Sequence, residues 1–368
     1  LGDVYKRQGC FNTAIGHNAL STNTTSSTNT AVGFAALDLN TTGFGTAVGY
    51  KAMTANTTAS GGTAIGYQAL CSNTTGDDNT ALGLETLSKN TTGANNTAVG
   101  RDALEVNTTG ANNTAVGRSA LLDNTTGAGN VAVGRQSLFN NTTADDNVAV
   151  GYTALCTNTT GSDNTSIGNY SLRANTTGVE NVALGRSSLG ANTTGNSNVA
   201  IGCGSLDANT TASQNTAMGY ESMGVTSTGC KNVAVGANSL VVNTTGCFNV
   251  AIGKSAFERS TTATCNTGVG LNALEQLTTG ASNVSIGRFS GADAMINLTT
   301  ENNRGAFGHN NITNAYVKVA WTVTSDQRDK TNLGTVPHGL DFVNQLEPVS
   351  FQFKKSRDND TPHGDMRY

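Results

Sequence analysis

The segment TSDQRDKTN, residues 324–332, holds four charged side chains within six consecutive positions of a 368-residue chain that is only 12% charged. A hydroxyl (Ser325), two carboxylates (Asp326, Asp329), a guanidinium (Arg328), an ammonium (Lys330) and an amide (Asn332) stand together there. Read alone, the run has a plain structural reading. Ser325 caps a helix N-terminus and Asp326 sits in its first turn, where a negative charge suits the helix dipole.

Other groupings that could do chemistry are sparser. Seven cysteines form no CxxC pair, and His17, His309, His338 and His363 are scattered, so neither zinc spacing nor a redox motif is present and no metal or cofactor is expected. Lys254 and Ser255 follow Gly253 as in a phosphate loop, but Phe248 stands where that loop needs its first glycine. Asp77 with Asp78, and Asp145 with Asp146, are read as solvated turn residues rather than a sugar or calcium site. Cys230 and Cys247 are the pair whose positions correspond, which leaves a disulfide open. The odd total and irregular placement favour two reduced thiols.

The elements that carry these groups are repeats. From Asn96, reading NTAVGRDALEVNTTGAN, copies open every 17 residues through Asn283, and backwards through Asn79, Gly62, Gly45, Asn29 and Asn12 with one single-residue deletion. Seventeen copies result, so a stack replaces the usual expectation of two or three domains. Net charge of −4 leaves no basic footprint for nucleic acid, and no apolar segment is long enough to span a membrane.

The consensus is N-(T/V)-A-(V/I)-G-x-x-(A/S)-L-x-x-N-T-T-G-x-x, with its positions counted 1 to 17 below. Two short apolar stretches of strand length, NTAVG and ALxx, are separated by glycine and an Asn-Thr-Thr-Gly turn. The glycines at positions 5 and 15 and the asparagine at position 12 are expected to accept positive φ. Stacked at about 4.8 Å per copy, the repeats make an all-β fold, a parallel β-solenoid or β-roll roughly 80 Å long. Val and Leu are expected to line its thin core, with asparagine amides laddered along the axis. An unused Ala or Ser face points to burial between chains, hence a homotrimer.

NTAIG at Asn12, NVAIG at Asn198 and Asn249, and NVSIG at Asn283 resemble the head repeats of trimeric autotransporter adhesins, and are more similar still to the NTAxGxxAL arrays of phage tail fibres. The resemblance covers residues 12 to 295 and implies a trimeric fibre with a host-surface glycan or protein receptor, on a virion tail or at a cell surface. Regular Thr pairs raise a second reading, a non-enzymatic structural or ice-binding fibre, against which stands ordinary turn bonding by threonine. The recurring NTT is also a glycosylation sequon and is read here as turn chemistry.

Composition changes near Trp321. All three prolines, Pro337, Pro348 and Pro362, follow it. Leu340, Val343 and Leu346 keep helical spacing up to Pro348, and Val349, Phe351 and Phe353 alternate as a strand, so a small α+β domain is expected. Residues 1–8 match no repeat and are set aside as a non-native leader; 9–295 form the shaft; 296–324 a degenerate rung and connecting strand; 325–368 the start of the second domain.

The string AWTVTSDQRDKTNLGTVPHGLDFVNQLEPVSFQF resembles the endosialidase-type intramolecular chaperone, a self-cleaving C-terminal domain of tail fibres and tailspikes. Ser325, Asp326, Arg328, Lys330, Asn332 and Leu346 to Phe351 carry the likeness. The resemblance implies a serine autoproteolysis before Ser325, with Ser325 as nucleophile and Lys330 as general base. A lysine serves so only where desolvation or a nearby cation lowers its pKa, which gives Arg328 a role. Asp326 and Asn332 would orient the strand or bond the scissile carbonyl. Side chains five apart lie about 140° apart on a helix, so the pair meets only in a turn or across protomers. Relatives continue past the equivalent of Tyr368, which implies a truncated domain that does not cleave in this form.

Overall fold

The structure is a computed structural model that describes residues 9–294, 296–313, 351–356 and 359–367, the last two segments as backbone alone. The chain divides into two compact units, Leu1–Thr313 and Asn314–Tyr368. In the first, each repeat makes one turn of a solenoid, with strands running from β1 (Thr13–Ile15) to β18 (Gly305–Phe307) in one 18-stranded parallel sheet. Register is uniform. Thr97, Ala98 and Val99 lie on Thr114, Ala115 and Val116 of the next rung, and every shaft pairing follows the same rule.

Only one strand forms per repeat, at positions 2 to 4, where two were expected. The ALxx stretch still bonds between rungs, through Leu104 N–H to Ala120 O at 3.0 Å and Val106 N–H to Leu122 O at 3.1 Å. Its backbone is not extended, however. Asp102, Leu104 and Asn112 have φ of 57°, 52° and 60°, so positions 7, 9 and 17 turn left-handed, and position 5 is a glycine at φ 129° in the same copy. Positions 12 and 15 do not take positive φ, contrary to expectation. Position 15 is small in either case, glycine at Gly110 and buried alanine at Ala144 and Ala263.

A leucine in that conformation is unusual, since left-handed backbone costs an L-residue about 1–2 kcal/mol. Full burial of a leucine contributes about 1.5–3 kcal/mol. Three left-handed positions per rung therefore cancel what the leucine contributes, and no rung is stable without neighbours on which to bond.

The interior also differs from the sequence reading. Ala at position 3 and Ala or Ser at position 8 are fully buried with Leu at position 9, as at Ala98, Ala103 and Leu104. The valine at position 4 points outward instead. The coil is narrow at the strand, where position 3 is alanine, serine or glycine throughout, so the smaller residue goes inside. Serine replaces alanine at position 8 freely because its hydroxyl donates to the position-5 carbonyl, as Ser188 Oγ does to Gly185 O at 2.9 Å.

Two asparagine ladders run along the coil, as the sequence implied. At position 1, Asn113 Nδ2 donates to Asn96 Oδ1 (3.2 Å) and to Gly127 O (2.8 Å). At position 12, Asn124 Nδ2 donates to Asn107 Oδ1 (2.8 Å) and to the same Gly127 O (2.9 Å). Where Thr226 and Ser260 take position 12 the ladder breaks, and Asn209 Oδ1 and Asn243 Oδ1 are left buried without a partner.

In the second unit, β19 (Phe351–Ser356) pairs antiparallel with β20 (Asn359–Arg367). The helix expected around Leu340 to Leu346 lies outside the described residues.

Candidate functional site

Because positions 2 and 4 of each strand face out while position 3 faces in, the sheet presents a continuous outer face. Position 4 is apolar in all eighteen strands, from Ile15 to Phe307, and carries no charge anywhere. Leu82, Ile167 and Met218 are 44%, 41% and 40% exposed, far more than a soluble surface ordinarily leaves in one contiguous stripe. At about 4.8 Å per rung the stripe runs roughly 80 Å. It replaces the Ala or Ser face, now buried inside each coil, as the unused apolar surface.

Beside it, past the position-5 glycine, position 6 carries aromatic and cationic side chains in blocks. His17, Phe34, Tyr50 and Tyr67 stack face to face at 5.4, 5.3 and 5.1 Å. Arg101, Arg118 and Arg135 occupy it on three successive rungs further on, and Arg135 lies 5.6 Å from the Tyr152 ring. No carboxylate occupies this position in any copy. Further along, Tyr170, Arg173, Arg186, Gly190 and Asp207 line an open depression of about 620 Å³. Burial pushes the Asp207 carboxyl above its ordinary range, against the pull of Arg173 and Arg186.

One grouping is visible only between copies. Glu85 and Asp102 share position 7 of adjacent rungs, and with Glu105 their carboxylate oxygens lie within 4.8 Å of one another. Superposing copies in register would have found it. Glu105 pairs with Lys89 at 3.5 Å and Asp102 with Arg101 at 3.1 Å, so the group is an ion-pair network.

The remaining sequence candidates resolve from their bonding. Asp77 and Asp145 each accept a backbone N–H from the preceding rung, Ser60 at 2.8 Å and Ala128 at 2.7 Å. The first threonine of NTT donates across rungs, as Thr108 Oγ1 does to Thr125 O at 2.9 Å, rather than within its own turn. Sequon asparagines such as Asn107 are fully buried with their amides bonded, which leaves no nitrogen accessible to a glycosylating enzyme. Gly253, Lys254 and Ser255 sit in an ordinary rung, Gly253 at φ 134°.

Ser325, Asp326, Arg328, Lys330 and Asn332 lie outside the described residues, so their mutual geometry is not part of this site. Their segment has an independent correspondence. Residues 325–365 match the family described as chaperone of endosialidase. The chaperone-of-endosialidase match opens at Ser325 and takes in most of the β19–β20 hairpin. No curated protein and no solved structure matches the chain. No helix among the described residues is long and apolar enough to cross a membrane.

Proposed function

We propose that this chain is a tail-fibre-type shaft that assembles as a homotrimer under a C-terminal intramolecular chaperone, which then cuts itself away before Ser325. The observation that carries the reading is the chaperone-of-endosialidase match at residues 325–365, placed after an in-register stack of eighteen strands. Such a stack needs an assembly device. Its rungs are near copies, so a slip by one rung leaves most contacts intact and misregistered states compete closely with the native one. A folded clamp that aligns three chains removes that competition, and its release after folding makes the reverse path unavailable.

The outward stripe fits the same reading. Three copies facing one another about a common axis bury it, and cyclic symmetry closes the contact without leaving a free patch. Within the chaperone segment Ser325 is the nucleophile and Lys330 the base, with Arg328 lowering the lysine pKa and Asp326 and Asn332 holding the scissile strand. The position-6 aromatics and arginines are the surface left for a host glycan or protein receptor.

Expression of the complete reading frame, beside Ser325→Ala and Lys330→Ala, tests the cut on a denaturing gel. The reading requires a fragment whose new N-terminus is Ser325 in the wild type and an uncut chain in both variants. An uncut wild type would refute it.

A further inference from the structure

Position 16 is a column in which a polar side chain, where one is present, accepts the backbone N–H of position 16 in the rung before. Asp145 does so for Ala128 at 2.7 Å, and Asn196 for Val179 at 2.8 Å. In one place the column holds sulfur. Cys247 Sγ accepts the N–H of Cys230 at 3.0 Å, and the two sulfurs lie 2.9 Å apart. Both are free thiols, half-buried at the surface of the coil.

We propose that Cys230 and Cys247 are a modification site at which a low-molecular-weight disulfide, such as oxidised glutathione, closes a covalent bond between adjacent rungs. Closure takes the sulfurs roughly 0.9 Å nearer, to the 2.03–2.05 Å of a disulfide. In-register parallel neighbours are spaced about 4.8 Å apart, within the Cα separations that disulfides accept. Composition favoured two reduced thiols and left a disulfide open; the proposal takes the second course.

The chemistry divides between the two residues. Cys247, whose Sγ accepts the Cys230 N–H, loses its proton and attacks one sulfur of the small disulfide, expelling one small thiolate and leaving a mixed disulfide on Cys247. Cys230 then loses its proton and attacks Cys247 Sγ, releasing the second small thiol. Two protein thiols are oxidised and one small disulfide is reduced to two thiols. Hydrogen bonding with Cys247, followed by burial, raises the Cys230 thiol pKa, opposed by Lys231, so the second step quickens as pH rises.

The bond has a structural meaning beyond cross-linking. A slip of one rung sets Cys230 against Thr264, which occupies position 16 of the following copy and offers no sulfur. Only the native register can be locked. The inference rests on rung register and is independent of any cut at Ser325.

The test is peptide mass mapping of the full chain after incubation with oxidised glutathione, denaturation and alkylation. The expected result is that Cys230 and Cys247 both escape alkylation and appear as a cross-linked peptide pair joining one to the other. In Cys230→Ser, the glutathione adduct should persist on Cys247, because the resolving thiol is gone. Seven alkylated cysteines in the treated wild type, or a cross-link running from Cys247 to Cys265 instead, would overturn the assignment.

Discussion

Asn124 donates its side-chain amide to Asn107 Oδ1 of the preceding rung at 2.8 Å while closing its own turn on Gly127 O at 2.9 Å. One nitrogen thus ties rung to rung and fixes the turn, and Asn124 Oδ1 accepts the next amide, from Asn141, at 2.9 Å. Replacing Asn124 with alanine removes all three bonds and leaves Asn107 Oδ1 and Asn141 Nδ2 buried without this partner. At about 1–3 kcal/mol per unsatisfied buried group, the variant should lose about 2–4 kcal/mol of stability, read as a lowered denaturant midpoint.

The converse substitution should stabilise. Thr226 interrupts the same ladder, and its own Oγ1 and Asn209 Oδ1 are both buried and unpartnered. Asparagine at 226 restores a donor for Asn209 Oδ1 and an acceptor for Asn243 Nδ2. A gain of about 1–2 kcal/mol is expected, measured by the same unfolding curve. A neutral or lower midpoint would mean that the ladder contributes little.

Gly100 tests the bend that ends each strand. It sits at φ 129°, and a Cβ there would approach Gly117 O to 2.6 Å. Alanine meets both a forbidden backbone region and a backbone atom that cannot rotate away. A loss of about 3 kcal/mol or more is expected in thermal or chemical unfolding. Alanine at position 15 should be tolerated far better, as Ala144 and Ala263 already occupy it.

Asp207 gives a pH signature. Burial raises its carboxyl above the ordinary 3.8, so the folded state holds the proton more tightly than the unfolded chain does. Its stabilising contribution is full below that ordinary value and is lost as pH rises through the raised one. Asp207→Asn should therefore flatten the fall in melting temperature across that interval and melt slightly higher at neutral pH. The group is about half exposed, so the effect is small.

The period, the parallel stack and the asparagine ladders were legible because each depends on spacing alone. Which face of a three-residue strand turns inward was not. Hydropathy ranks Val99 above Ala98 for a core, but the coil takes only alanine, serine or glycine there, a constraint of cross-section that no local pattern contains. Leu104 in a left-handed backbone was equally hidden, since intrinsic preference opposes it and only the bonds to neighbouring rungs hold it there. The carboxylate group at Glu85, Asp102 and Glu105 was readable in principle, by superposing copies. For the chaperone segment, the charged run at Ser325 to Lys330 marked the place where the family match begins.

The account depends above all on the outward stripe being covered by other copies of the chain. Light scattering coupled to size exclusion measures this directly, on the wild type and on a variant carrying Val116→Asp, Ile167→Asp and Met218→Asp, three outward positions outside the buried core. The account predicts a mass of three chains for the wild type and a folded, β-rich single chain for the variant. A wild type that elutes with the mass of one chain and retains the β signature would contradict it.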